Sequence, residues 1–110
     1  MAVRSWTAER VAWEPAADVY RTGDDWVIKI ELAGVRLGDV QIDLRDDQVV
    51  ITGIRRDWLV AEGWKPYSME ISYSPFERAF KVPCNLQDAV VSTEWRDGML
   101  LIHLACERGL

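Results

Sequence analysis

Apolar and polar residues alternate along several short stretches of this chain, and this period limits what it can fold into. In residues 26–32 every second side chain is apolar, with Lys29 and Glu31 between them. Successive side chains of a β-strand point to opposite faces of a sheet. The pattern therefore predicts a strand with one face in a hydrophobic core.

The same pattern recurs along the chain, separated by turn signals such as Asp46-Asp47 and Asp97-Gly98. Little of the sequence favours a helix, so we predict an all-β, two-sheet antiparallel immunoglobulin-like β-sandwich. The predicted strands, seven or eight in number, are residues 17–21, 26–32, 40–44, 49–52, 67–73, 76–82, 89–95 and 99–104.

One predicted strand carries a charge on its apolar face. Arg78 is in phase with Phe76, Phe80 and Val82. A guanidinium group keeps its charge, so it must find acceptors or stay in water. Two alternatives follow: the guanidinium group finds acceptors within the protein, or it lies over Phe76 and Phe80 with its head in solvent.

The connection at residues 55–66 is too long and too apolar for a simple hairpin turn. Long connections in compact domains are usually functional, and apolar side chains are costly to leave in water. We expect this loop to dock on another surface through Trp58, Leu59, Val60 and Trp64.

Length and charge narrow the classes of protein. The 110 residues fit one domain, which we divide into an arm (1–14), a sandwich domain (15–104) and a tail (105–110). A net charge of −5 argues against a nucleic-acid or an anionic-membrane partner. No signal-peptide pattern opens the chain and no apolar run could span a bilayer, so we expect a cytoplasmic protein.

No group of residues indicates catalysis, a metal or a cofactor. Cys84 and Cys106 lack metal-ligand spacing and are interpreted as reduced thiols. The single histidine, His103, lies in a predicted strand and has no evident catalytic partners. We therefore predict that the protein is not an enzyme and has no catalytic residues, no metal site and no cofactor.

Five segments, in order, resemble the α-crystallin domain of small heat-shock proteins of the bacterial or plant type. The resemblance covers roughly residues 15–104, and its most specific part is the arginine-bearing strand. The segments are Asp18-Val19-Tyr20, Leu32-Ala33-Gly34-Val35, Val49-Val50-Ile51-Thr52-Gly53-Ile54-Arg55, Tyr73-Ser74-Pro75-Phe76-Glu77-Arg78-Ala79-Phe80-Lys81-Val82-Pro83 and Asp97-Gly98-Met99-Leu100.

The resemblance implies an ATP-independent holdase that binds partly unfolded client proteins and prevents their aggregation. It also implies a homodimer in which the long loop of each subunit crosses to an edge strand of the other. The alternative is that the loop folds back onto its own domain. The residues that the resemblance assigns to this interface are Trp58, Leu59, Val60, Trp64, Arg78, Ala17 and Val19. For Arg78 the resemblance implies a contact with a carboxylate, within the subunit or across the interface.

The resemblance further implies two surfaces for clients. In most members a carboxy-terminal Ile-x-Ile segment fills a groove between two strands; this sequence has no such motif after Leu104, so we expect a dimer or small assembly. The second surface is the amino-terminal arm, whose tryptophans would bind clients; the alternative is that they pack on their own sandwich. The groove residues are Val40, Ile42, Leu44, Val91, Thr93 and Trp95, and the arm residues are Trp6, Val11 and Trp13.

A second function remains open at the level of sequence. A co-chaperone or adaptor resembling the CS-domain proteins would share the sandwich but bind one defined, folded partner. The apolar loop and the arginine-bearing strand favour the holdase. The missing carboxy-terminal motif keeps the adaptor as an alternative.

Overall fold

The computed structural model describes residues 13–106, which form seven strands and two short helical turns. The prediction of an all-β fold is confirmed. The elements are β1 (Ala17–Thr22), β2 (Asp25–Glu31), a 3-10 turn (Leu37–Asp39), β3 (Val40–Arg45), β4 (Gln48–Ile54), α1 (Trp58–Ala61), β5 (Pro75–Lys81), β6 (Val90–Arg96) and β7 (Met99–Ala105).

The strands form two antiparallel sheets. One has the order β1-β2-β7-β6 and the other the order β3-β4-β5. Asp97 and Gly98 join β6 to β7 with φ values of 51° and 79°. Positive φ at both central residues is what a type I′ hairpin turn requires, so the predicted Asp-Gly turn is confirmed.

The core lies between the sheets and comes from the inward face of each strand. Residues 28, 30, 100, 102 and 104 of the four-stranded sheet alternate with exposed or half-buried neighbours, as period 2 predicts. The buried hydrophobic residues are Ile28, Ile30, Leu32, Val35, Val49, Val50, Ile51, Phe76, Val82, Leu86, Leu100, Ile102 and Leu104.

The prediction of a strand at residues 67–73 is wrong. The segment has no regular structure, and its apolar residues are exposed, with Tyr67 fully so. The β4–β5 ladder ends at the pair Ile54 and Pro75, and within residues 13–106 no strand pairs with residues 67–73. An alternating pattern makes a strand only where a neighbour accepts its backbone hydrogen bonds.

The interpretation of the cysteines as reduced thiols is also wrong. Cys84 and Cys106 form a disulfide, with their Cα atoms 5.7 Å apart. Val90 pairs with Ala105 where β6 begins and β7 ends, so the hairpin brings its two flanking segments together. A separation of 22 residues in sequence carries no sign of that proximity.

Among residues 13–106, no helix is long and apolar enough to cross a membrane.

Candidate protein-interaction surfaces

The loop between β4 and β5, residues 55–74, begins with a short capped helix. The Asp57 carboxylate accepts hydrogen bonds from the backbone N–H groups of Leu59 (3.1 Å) and Val60 (3.4 Å). Asp is a favoured N-cap because it satisfies amides that lack intrahelical partners. The capped helix is α1, which carries three of the predicted interface residues, Trp58, Leu59 and Val60, all of them exposed.

The first part of the loop is fastened to its own subunit. The Arg36 guanidinium carbon lies 3.8 Å from the centroid of the Trp58 ring, a cation–π contact. Next to it, Arg56 Nε pairs with Asp39 Oδ2 at 3.1 Å. Both contacts bind the loop to residues 36–39, which lie between β2 and β3. Trp58 is therefore engaged within its own subunit.

Arg55 fastens the base of the loop. Its Nε donates to the Ser72 carbonyl oxygen at 2.8 Å, and its Nη1 donates to that of Ala33 at 3.2 Å. Its backbone N–H donates to the Ser74 carbonyl oxygen at 3.1 Å. The guanidinium also lies 3.9 Å from the Trp13 ring centroid. One side chain thus joins both ends of the loop to the sandwich.

The last part of the loop, residues 64–73, presents apolar side chains to solvent. Met69 and Ile71 are 52% and 60% exposed, and Trp64, the fourth predicted loop residue, is 66% exposed. They line an open, mainly apolar cleft of about 440 Å³. Exposed apolar side chains grouped in this way mark an interaction surface.

The predicted acceptor of the loop, β1, is an edge strand. It pairs with β2 on one side only, and in the described chain no strand lies on its other side. Ala17 is half-buried and Val19 is 42% exposed. An open edge presents backbone groups that can pair with another strand.

Arg78 joins the two sheets rather than facing a carboxylate. Its Nη1 donates to the carbonyl oxygen of Pro15 at 2.6 Å, and its guanidinium lies 4.9 Å from the Phe80 ring centroid. Among the described residues the predicted carboxylate within the subunit is therefore replaced by the backbone carbonyl of Pro15, a buried residue two positions before the start of β1. A carboxylate supplied by a second subunit stays a prediction.

Replacing Arg78 with alanine is expected to lower the free energy of unfolding by about 2 kcal/mol, because a charged donor to a buried carbonyl contributes on that scale. Urea denaturation followed by tryptophan fluorescence measures the change. Arg78→Lys is the control and should lose about half as much, since a lysine keeps one donor but not the planar stacking. Two variants as stable as the parent would contradict this role for Arg78.

The predicted groove residues lie on the edge strands β3 and β6 and face inward. The tie from Arg78 to Pro15 places β5 beside β1, so the order of strands leaves β3 and β6 on the opposite side of the sandwich. The inward direction follows from register, because the residues pair with inward-facing neighbours on β4 and β7. The six residues are Val40, Ile42, Leu44, Val91, Thr93 and Trp95.

These groove residues are covered unevenly. Val40, Ile42 and Val91 are half-buried against the core, whereas Leu44 and Trp95 are 40% and 38% exposed. Thr93 is exposed as well. Some apolar side chains of the two edge strands, Leu44 and Trp95, are therefore accessible to solvent, whereas Val40, Ile42 and Val91 pack against the core.

The outer face of β6 is polar. Glu94 accepts from Arg96 at 2.6 Å and lies 3.4 Å from His103 Nε2. The Arg96 hydrogen bond, followed by the charge of Arg96 and the contact with His103, holds the pKa of Glu94 below its ordinary value. The two faces of β6 thus differ, with charge outside and apolar groups inside.

The arm is described only from Trp13 onward, so Trp6 and Val11 lie outside the described residues. Trp13 packs edge to face on Phe76, with ring centroids 5.3 Å apart, beneath the Arg55 guanidinium. For Trp13 the structure shows the second alternative, packing on its own sandwich.

Comparison with known proteins matches this arrangement to one family. The sequence profile of the Hsp20/alpha crystallin family matches residues 18–108. The chain belongs to that family. The resemblance to small heat-shock proteins, of both bacterial and plant type, is confirmed.

Relatives of the Hsp20/alpha crystallin family align over most of this chain. The spore protein SP21 of Stigmatella aurantiaca is 30% identical over 107 residues, 94% of this chain and 63% of its own length. A 17.3 kDa class II heat shock protein of Solanum peruvianum is 30% identical over 96 residues, 86% of this chain and 61% of its own length. The chain thus spans about three-fifths of these curated relatives.

A solved structure confirms the sandwich. Heat shock protein 16.0 from Schizosaccharomyces pombe superposes with a TM-score of 0.74 at 23% identity, covering 86% of this chain and 87% of that one. The Solanum peruvianum and Schizosaccharomyces pombe proteins are both described as heat shock proteins. Among the described residues no three His, Cys, Asp or Glu side chains form a potential metal site.

Sequence reasoning missed two parts of this Hsp20-family surface. Arg55 was not singled out, since an arginine after a strand gives no sign of the carbonyls it will reach. The alternation around Met69 and Ile71 predicts a strand of the sandwich, whereas the structure leaves both side chains exposed in the loop. The same alternation is the sequence signal for this exposed apolar segment.

Proposed function

We propose that this protein is an ATP-independent holdase that binds partly unfolded proteins and prevents their aggregation. The observation that carries the proposal is the exposed apolar surface along β3 and β6, where Leu44 and Trp95 remain accessible at two open strand edges. Unfolded chains expose apolar segments, and burying them against such a surface is favourable without a nucleotide.

The net charge of −5 supports the same function. An excess of like charge keeps a protein and its complexes dispersed, while the apolar edges hold the client. The charge also leaves nucleic acid and anionic membranes as disfavoured partners. A cytoplasmic location, the absence of a cofactor and the division of the chain at residues 14 and 104 stay predictions.

We also propose a homodimer formed by loop exchange, with residues 67–73 as the exchanged segment. The contact of Trp58 with Arg36 disfavours α1 for this role, whereas Met69 and Ile71 are exposed and have no comparable ring contact with any residue between 13 and 106. A segment of alternating side chains needs the backbone groups of another strand. The open edge of β1 offers them, and a twofold axis would satisfy both subunits at once.

Light scattering of a heat-labile client, with this protein added and no ATP, tests the holdase. We expect near-stoichiometric amounts to suppress aggregation. Replacing Leu44 and Trp95 with serine should remove most of the protection, because both side chains lie on the apolar edges. Gln41→Ser is the control, since Gln41 is exposed on the outer face of β3.

Two results would contradict the proposal. One is a client that aggregates equally fast with and without the protein. The other is protection that the double serine variant retains in full, which would move the client site elsewhere. No suppression together with tight binding of one folded protein would support the adaptor function.

A further inference from the structure

The segment between β5 and β6, residues 82–89, closes one end of the sandwich; we call it the end cap. It passes from the three-stranded sheet to the four-stranded sheet. Val82 and Leu86 are 3% and 4% exposed and belong to the core. The end cap therefore covers core side chains that would otherwise meet solvent.

The hydrogen bonds within the end cap are local. The Cys84 N–H donates to the Val82 carbonyl oxygen at 2.8 Å. Asn85 Nδ2 donates to Asp88 Oδ2 at 2.8 Å, and Asn85 Oδ1 accepts from the Gln87 N–H at 3.2 Å. Because these bonds join close neighbours in sequence, they hold the shape of the end cap and do not attach it to the sheets.

The Cys84–Cys106 disulfide supplies a covalent attachment. Cys106 follows β7 directly, and its N–H donates to the Asp25 carboxylate at the start of β2, at 3.1 Å. The disulfide thus joins the end cap to Cys106, which is held by β7 through the chain and by β2 through the hydrogen bond to Asp25. Both cysteines are half-buried rather than fully enclosed by the core.

We propose that this disulfide is a redox-sensitive clasp, and that its reduction releases the end cap and uncovers apolar surface at Leu86 and at Val91. Val91 lies one residue past the start of β6 and is a groove residue, so opening the end cap extends the apolar edge described above. Disulfides of this kind persist in oxidising compartments and are broken in reducing ones.

The reaction needs a dithiol reductant. One reductant thiolate attacks a sulfur of the Cys84–Cys106 bond, which forms a mixed disulfide and releases the other cysteine as a thiolate that takes up a proton. The second reductant thiol then displaces the remaining cysteine. The protein gains two electrons and two protons as free thiols, and the reductant leaves as its cyclic disulfide.

Hydrogen exchange of the oxidised and the dithiothreitol-reduced protein tests the clasp without a client. We expect amides of residues 84–91 to exchange at least about tenfold faster after reduction, with β2 and β4 unchanged. Binding of the fluorescent probe anilinonaphthalene sulfonate should rise in parallel. A Cys84→Ser/Cys106→Ser variant should behave like the reduced protein whether or not dithiothreitol is present.

Mass spectrometry after thiol alkylation establishes the redox state in each sample. Two free thiols in protein kept under oxidising conditions would overturn the proposal. So would unchanged exchange in fully reduced protein, or faster exchange throughout β2 and β4, which would make the bond a purely structural one. Leu86→Ala with the disulfide intact should raise probe binding only slightly, because the clasp still holds the end cap.

The consequence for clients rests on the proposed holdase function. Reduction should then increase the protection measured by light scattering at a given protein concentration. Faster exchange of the end cap without any protection, oxidised or reduced, would contradict the holdase and leave the clasp supported. If the oxidised protein protects the client but reduction does not change hydrogen exchange in the end cap, the holdase is supported and the clasp is contradicted.

Discussion

Replacing Gly53 with alanine is expected to lower the free energy of unfolding by about 2–3 kcal/mol, because the added methyl group has no space. A Cβ atom at this position would lie 2.6 Å from the Asp39 carbonyl oxygen and 2.6 Å from Phe76 Cζ. The first is backbone, and the second belongs to a buried ring that packs on Trp13. Neither can move cheaply.

Thermal unfolding followed by circular dichroism measures the effect of Gly53→Ala. A loss of this size should lower Tm by roughly 10–20 °C in a domain of this length. Gly38→Ala is the matched control, because no atom lies within 4 Å of its Cβ position. Its Tm should stay within about 3 °C of the parent. Equal Tm values for the two variants would show that β4 and Phe76 are packed differently.

The second large effect is expected at the proposed exchange segment. Met69→Ser together with Ile71→Ser should weaken the homodimer on the order of 100- to 1000-fold, since burial of each apolar side chain contributes about 2 kcal/mol. Both residues are more than half exposed in the single subunit. Their loss should therefore leave the fold intact, and circular dichroism should stay unchanged.

Analytical ultracentrifugation over a concentration series measures the dissociation constant. Trp58→Ser is the control, because Trp58 already contacts Arg36 of its own subunit, and it should weaken the dimer by no more than a few fold. If Trp58→Ser gave monomers and the double variant did not, α1 would be the exchanged element. A monomeric parent, or one that sediments as a large particle, would contradict the small assembly that we predict.

Strand positions were largely predictable because the burial of one face of a strand requires apolar residues at every second position of its sequence. In β2 and β7, residues such as Ile30 and Ile102 face the core and their neighbours do not, and this produces period 2 directly. The Asp97-Gly98 turn was predictable for a similar reason, since positive φ at both positions restricts which residues fit. The predicted groove residues therefore share the inward face of their strands, as the alternation predicts.

The remaining features depend on which parts of the chain meet, and no local pattern encodes that. Period 2 in residues 67–73 predicts a strand, but strand formation needs the hydrogen bonds of a neighbouring strand, and the described part of the chain places no strand there. The sequence predicts that Arg78 needs hydrogen-bond acceptors. It does not indicate which one, because the acceptor, the Pro15 carbonyl oxygen, lies 63 residues away in the chain. Cys84 and Cys106 became neighbours only through the β6–β7 hairpin.

By itself the sequence determined the class of fold, the strand faces and, through five ordered segments, the family. These are properties of single strands and turns, set by side-chain alternation and backbone conformation. Only the tertiary structure decided the contacts of Arg78, the pairing of Cys84 with Cys106 and, among the described residues, the lack of a paired strand for residues 67–73. Each depends on distances between segments far apart in the chain, which the packing of the two sheets establishes.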